Sequence, residues 1–165
     1  MSSQQRMSSL LSKSVTALVS TSLTLGVISV VTDARAQEVS GSKSFSCSNA
    51  TLNGTYGYQE SGFRGTKAPF TPFTAVRTTI FNGRGNFSGS GFLSQGGDVK
   101  QYTITGTYRA NSDCTVTLTG NAVFPDGTQS EATNQFGVIV NRGTKILAIQ
   151  TTPGRNQAIT YKRVR

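Results

Sequence analysis

Residues 101–124 read QYTITGTYRANSDCTVTLTGNAVF. In the first half Tyr102, Ile104, Gly106 and Tyr108 alternate with Gln101, Thr103, Thr105 and Thr107. In the second half Val116, Leu118, Ala122 and Phe124 alternate with Thr115, Thr117, Thr119 and Asn121. Successive side chains of a strand point to opposite faces, so a period of two with one apolar and one Thr-rich phase predicts half-buried strands. The intervening Asn111-Ser112-Asp113 supplies turn formers, which makes the stretch a hairpin.

Outward from this hairpin the same grammar repeats, and no helical period is sustained. Eight strands are expected at roughly 54–60, 74–81, 86–94, 99–109, 115–124, 129–140, 145–152 and 157–164. They are separated by NGRG (82–85), QGGD (95–98), NSD (111–113), PDGT (125–128), NRGT (141–144) and PGRN (153–156). Each break holds a residue that tolerates positive φ or a proline that presets it. One long connection is expected, SGFRGTKAPFTPF at 61–73. In the sixth strand Ala132, Asn134, Phe136, Val138 and Val140 share a phase and are expected to face inward. Consecutive hairpins with one wet face make an antiparallel sheet, and closure removes its edges. The expected fold is all-β, a single antiparallel up-and-down β-barrel of about eight strands. A β-sandwich is the second choice.

The glycine-rich run FNGRGNFSGSGF (81–92) raises the alternative of a phosphate-binding loop. A dinucleotide fingerprint needs G-x-G-x-x-G opening a helix, so that phosphate meets the helix N-terminus. Gly83, Gly85 and Gly89 are spaced G-x-G-x-x-x-G, and a strand pattern follows. The run therefore reads as a hairpin turn and a strand whose Gly89 and Gly91 share a face with Phe87. Glycines on an inner face let a small barrel curl, or let a bulky neighbour fill the space.

The start of the chain has a different composition. Arg6 and Lys13 precede an apolar stretch from Val15 to Val31, and Ala34 and Ala36 form an A-x-A site. That pattern predicts a signal peptide over residues 1–36, cleaved before Gln37, with a secreted or periplasmic product and no membrane span after cleavage. Residues 37–46 are a flexible polar lead-in and residues 47–165 the barrel domain. Of the 16 basic and 7 acidic residues in the chain, Arg6, Lys13, Arg35 and Asp33 fall before the cleavage point. The remainder carries a net charge of +7. Cys47 and Cys114 are the only cysteines, and an oxidising compartment makes them a disulfide.

Chemistry has little material. The chain has no histidine, which excludes Ser-His and Cys-His pairs and disfavours zinc; no metal site, cofactor or catalytic residue is expected. Asp98, Asp113 and Asp126 sit in turns, where they cap the backbone. Glu60, which shares a face with Tyr56 and Tyr58, is the carboxylate placed to act inside a cavity, and Asn134 is the other polar residue on an apolar phase. Each either orients a ligand or satisfies a backbone group. Export and scattered cations argue against nucleic acid as a partner. Lys162, Arg163 and Arg165 concentrate charge at the C-terminus.

At LNGTYGYQESGF (52–63), TTIFNGRGNFSGSG (78–91) and TGTYRANSDCTVTLTG (105–120) the chain resembles a group of secreted bacterial proteins frequent in cyanobacteria. The resemblance covers most of residues 47–165, and its motifs say little about activity. In architecture that group is similar to allene-oxide-cyclase-like and lipocalin-like barrels, which implies a barrel enclosing an apolar ligand cavity. No catalytic residue of the cyclases matches a position here.

The leading functional expectation is an exported barrel that binds a small apolar or amphipathic molecule in its interior. Its ligand-binding set is Tyr56, Tyr58, Glu60, Phe87, Tyr102, Tyr108, Asn134, Phe136 and Tyr161, with Leu118 on the same inner face. The alternatives are a matrix or cell-surface protein that binds acidic polysaccharide through its basic exterior, and a cyclase or isomerase that uses the cavity.

Overall fold

A computed structural model describes residues 45–164. The expected signal segment and most of the polar lead-in lie outside the described residues. Eight strands run β1 (Asn53–Arg64), β2 (Thr71–Asn82), β3 (Asn86–Gln95), β4 (Asp98–Ala110), β5 (Thr115–Val123), β6 (Thr133–Val140), β7 (Lys145–Gln150) and β8 (Arg155–Arg163). Each pairs antiparallel with the next, and β8 returns to β1 to close the barrel. Among the described residues no strand edge is left open, so the barrel offers no unpaired edge of N–H and C=O groups to another chain.

The long connection expected between the first two strands is mostly strand. β1 continues to Arg64 and β2 begins at Thr71, leaving only residues 65–70 as a loop. The register explains the extension: Phe63 pairs with Pro72 and Gly62 with Phe73, so the glycines and prolines of this stretch sit at the ladder's end, where strands tolerate them. At β6 the opposite holds. Residues 129–132 belong to an excursion between β5 and β6, held by a bridge from Val123 to Gln129 and by Ser130, whose N–H donates to Ala122 O at 2.8 Å and whose hydroxyl accepts from Ala122 N at 2.9 Å.

The two ends of the barrel differ. One is sealed. A short 3₁₀ turn, η1 (Asn49–Leu52), folds under it and drives Leu52 to zero exposure. Tyr108 donates from its hydroxyl to Asn49 O at 3.0 Å, and Asn49 Oδ1 accepts from Ala110 N at 2.8 Å. Arg163 closes the seam by donating to Asn53 O, Thr51 O and the Tyr56 hydroxyl. The Cys47–Cys114 disulfide ties the chain entering this plug to the start of β5.

Above the plug the interior is packed by aromatic rings. Phe81 stands edge-on to Tyr56, Tyr108 and Tyr161 at centroid distances of 5.2, 5.0 and 5.6 Å, within the range where such pairs attract. Phe87 fills the space opposite two glycines: a Cβ on Gly106 would lie 2.6 Å from its Cζ, and one on Gly120 would lie 2.9 Å away. The inner-face glycines therefore make room for protein side chains here.

Candidate functional site

The open end carries the β1–β2, β3–β4, β5–β6 and β7–β8 connections, and the interior changes character there. A cavity of about 50 Å³ is lined by Tyr58, Glu60, Arg64, Arg77, Tyr102 and Gln150, with Phe73, Leu93, Ile104, Ala122 and Phe124 as its apolar wall. Ser130, Thr133, Gln135 and Arg155 complete it. Small-molecule sites that swallow a whole ligand run to about 300 Å³ or more, so this space takes the head of a small molecule rather than all of one.

Two charged residues are buried in the interior beside the cavity, Glu60 at 4% and Arg77 at 7% exposure. Burying a charge is costly unless hydrogen bonds compensate it, and both are well supplied. From β2, Arg77 reaches across the barrel. It donates from Nε to Thr79 Oγ1 at 3.0 Å, from Nη1 to the Tyr102 hydroxyl at 3.3 Å and from Nη2 to the Tyr161 hydroxyl at 3.1 Å. Its guanidinium lies over the Tyr58 ring at 3.5 Å, a cation–π contact. Tyr161 passes the chain on by donating to Gln135 Oε1 at 2.7 Å.

Glu60 is the second hub. Its Oε2 accepts from the Tyr58 hydroxyl at 2.5 Å and its Oε1 from Gln150 Nε2 at 2.8 Å. With its amide turned to satisfy both ends, Gln157 donates to Glu60 Oε1 at 2.9 Å and accepts from Arg64 Nε at 3.3 Å. Tyr58 joins the two hubs, with its ring under Arg77 and its hydroxyl on Glu60. The arrangement makes Glu60 an anchor with both oxygens engaged.

The electrostatics follow from burial. Burial pushes the Tyr58 phenol well above its ordinary value, against the pull of Arg77, and pushes Tyr161 up to about 12. Burial works against the charge on Arg77, but the surrounding oxygens of Tyr58, Tyr161 and Tyr102 outweigh it and hold the guanidinium charged. At the mouth Arg64 is lowered to about 10, first by burial and then by the cation of Arg155. These two arginines face each other directly across β1 and β8.

The expected ligand-binding residues divide three ways. Tyr58, Glu60 and Tyr102 line the cavity. Tyr56, Phe87, Tyr108 and Tyr161 are buried but spent on packing and internal hydrogen bonds below it. Asn134 and Phe136 do not point inward at all: β6 buries Thr133, Gln135, Gly137 and Ile139 instead, and Phe136 is 43% exposed. The reason is register. Gln135 lies directly opposite Leu118 of β5, and Phe136 opposite Thr117. Directly paired residues share a face, so the inward Leu118 puts Gln135 inside and Phe136 outside. Asn134 instead accepts at Oδ1 from the Thr119 hydroxyl on the outer wall, at 2.8 Å.

Arg77, Gln135, Gln150, Gln157, Arg64 and Arg155 were not expected at the site. A signal for Arg77 exists in the sequence, since it shares a phase with Phe73, Ala75 and Phe81, all buried. Gln150 and Gln157 likewise continue the phases of Ile146 and Ala148 and of Ile159 and Tyr161. No group of three or more His, Cys, Asp or Glu able to hold a metal occurs among the described residues. Among them no helix is long and apolar enough to cross a membrane. Comparison of the chain with protein-family models, with curated proteins and with solved structures returned no match in any of the three.

Proposed function

We propose that this is an exported binding protein that takes the polar head of a small amphipathic molecule into the open end of its barrel. The observation that carries the proposal is the asymmetry of the interior. One end is plugged by Leu52 and packed with rings, while the other holds a cavity ringed by buried Glu60, Arg77, Gln135 and Gln150. A barrel that needed only stability would gain by filling that end with apolar side chains, since well-packed apolar groups replace buried charges at little or no cost. The apolar wall of Phe73, Leu93, Ile104, Ala122 and Phe124 suits a tail leaving through the mouth. The expected resemblance to lipocalin-like barrels would fit a carrier, with the difference that the preferred group inside is polar. The disulfide between Cys47 and Cys114 fits an oxidising compartment, as export requires.

Native mass spectrometry of the protein, purified without denaturant from the compartment that receives it, tests the proposal. The expected result is a retained small molecule that is lost when Ala122 at the cavity wall is enlarged by Ala122→Phe. A spectrum showing bare protein, with no small molecule retained from a broad metabolite mixture, would overturn it.

A further inference from the structure

Two features at the cavity mouth are left unresolved by the fold itself. The first is Arg64 against Arg155. They are direct cross-strand partners, and like charges placed opposite each other destabilise a sheet. Arg64 is fixed in place: its guanidinium stacks on Phe73 at 3.6 Å, Nη1 donates to Gln95 Oε1 at 2.7 Å and Nε to Gln157. Its Nη2 makes no hydrogen bond among the described residues, and neither does the Arg155 side chain. With Arg77 below them the cavity holds three cations against the single carboxylate of Glu60, whose oxygens are already engaged.

The second feature is Gln150. It is 8% exposed, its Nε2 is committed to Glu60, and its Oε1 is buried without any hydrogen-bond partner. It is the one such side-chain atom among the described residues. A buried acceptor left empty costs free energy, and this one belongs to a residue lining the cavity. The cavity therefore offers free guanidinium donors at its mouth, and one of its lining residues, Gln150, keeps a buried acceptor without a partner.

We infer that the head group recognised here is a hydroxycarboxylate, its carboxylate held between Arg64 and Arg155 and its neighbouring hydroxyl donating to Gln150 Oε1. The inference rests on the reading of this cavity as a ligand site. A guanidinium suits a carboxylate because its paired N–H groups match the two oxygens. A carboxylate and a carbinol carbon also fit the space of about 50 Å³. A free hydroxy acid carries that hydroxyl on the carbon next to the carboxylate, and a uronic acid at the non-reducing end of a polysaccharide offers a similar pair with the hydroxyl one carbon further out.

The test follows the side-chain amide NMR signals of Gln135, Gln150 and Gln157 in the oxidised protein during titration with glycolate, acetate, glycolamide and a uronate-terminated oligosaccharide. Glycolate is expected to shift Gln150 saturably, acetate to bind about fivefold more weakly for want of one hydrogen bond, and neutral glycolamide to leave the signals in place. Arg155→Gln should weaken glycolate at least about tenfold, the loss expected for a charge-assisted pair. Gln150→Leu should bring glycolate and acetate to equal affinity. Arg84→Gln, on the turn at the sealed end, should change nothing. If glycolate alone binds, the source is a free acid; if the oligosaccharide binds as well or better, it is a polysaccharide end. Equal response to glycolamide and glycolate, or glycolate affinity unmoved by Arg155→Gln, overturns the inference. In that case a neutral molecule retained in native mass spectra would leave the binding proposal standing.

Discussion

Substituting Gly120 by Ala probes how tightly the barrel interior is filled. Gly120 lies on the inner face of β5, without positive φ, so its backbone accepts Ala and gains about 0.5–1 kcal/mol from reduced chain entropy in the unfolded state. The new Cβ, however, would lie 2.9 Å from Phe87 Cζ and 3.1 Å from Thr105 O. Phe87 has no room to retreat, because its ring also covers Gly106 and packs on Phe81 at 5.8 Å. Overpacking of this kind costs about 1–3 kcal/mol, so the net expectation is a loss of roughly 1–2 kcal/mol. Shortening the ring by Phe87→Leu should cost about 1–2 kcal/mol alone, from lost burial and the space it leaves.

Combined, the two changes should partly cancel. The methyl occupies space the ring has vacated, and the double variant should be about 1 kcal/mol more stable than the sum of the singles, with the Thr105 contact limiting the rescue. Urea unfolding of the four disulfide-intact proteins, read by far-UV circular dichroism, gives the cycle. Additivity within about 0.5 kcal/mol would refute the packing described here, and would mean that Phe87 does not occupy the space opposite Gly120.

Other outcomes follow from the same structure. Stability should fall as pH rises from 10 toward 12. The unfolded tyrosines lose their protons near 10, while Tyr161 holds its proton to about 12 and burial holds that of Tyr58 well above its ordinary value. The folded state binds more protons at these two sites in that window, a loss on the order of 3 kcal/mol from Tyr161, partly offset by Arg64, which sheds its proton near 10 in the folded state and later in the unfolded one. Denaturation midpoints measured at pH 9 and 11.5 check this, and a flat profile would contradict it. Replacing both cysteines by serine should cost about 4 kcal/mol by the chain-entropy argument for a separation of 67 residues, again read from urea midpoints. Leu52→Ala should cost about 2–5 kcal/mol, because the side chain is fully buried in the plug. Phe136→Thr should change stability by only about 0.5 kcal/mol, since the ring stands on the outer wall; a core-sized loss there would reverse the assigned face of β6.

The barrel was legible because most strands carry one apolar phase and are bounded by turns that only Gly, Asn, Asp or Pro make easily. Tyr102, Ile104 and Tyr108 against threonines left no choice of face in β4. β6 was harder, since TNQFGVIV has apolar residues on both phases. Local pattern favoured Phe136 and Val138, and only pairing with β5 decides for Gln135 and Ile139. The candidate site was half legible for the same reason. Tyr58, Glu60 and Tyr102 follow from period two, but Arg77, Gln150 and Gln157 are polar residues on inner phases, where a search for apolar residues passes over them. What makes them tolerable inside is mutual hydrogen bonding across seven strands, a property of the closed barrel and of no single segment. Arg64 and Arg155 lie 91 positions apart in sequence and meet because β8 pairs with β1.

The central claim is that a small molecule's polar head occupies the open end and nothing enters the sealed one. A crystal structure of the protein purified from its native source, without ligand exchange, tests this directly. Electron density for an organic head group is expected between Arg64, Arg155 and Gln150, continuing past Phe124 toward solvent. A cavity holding only water, or a ligand lodged at the Leu52 end, would contradict it.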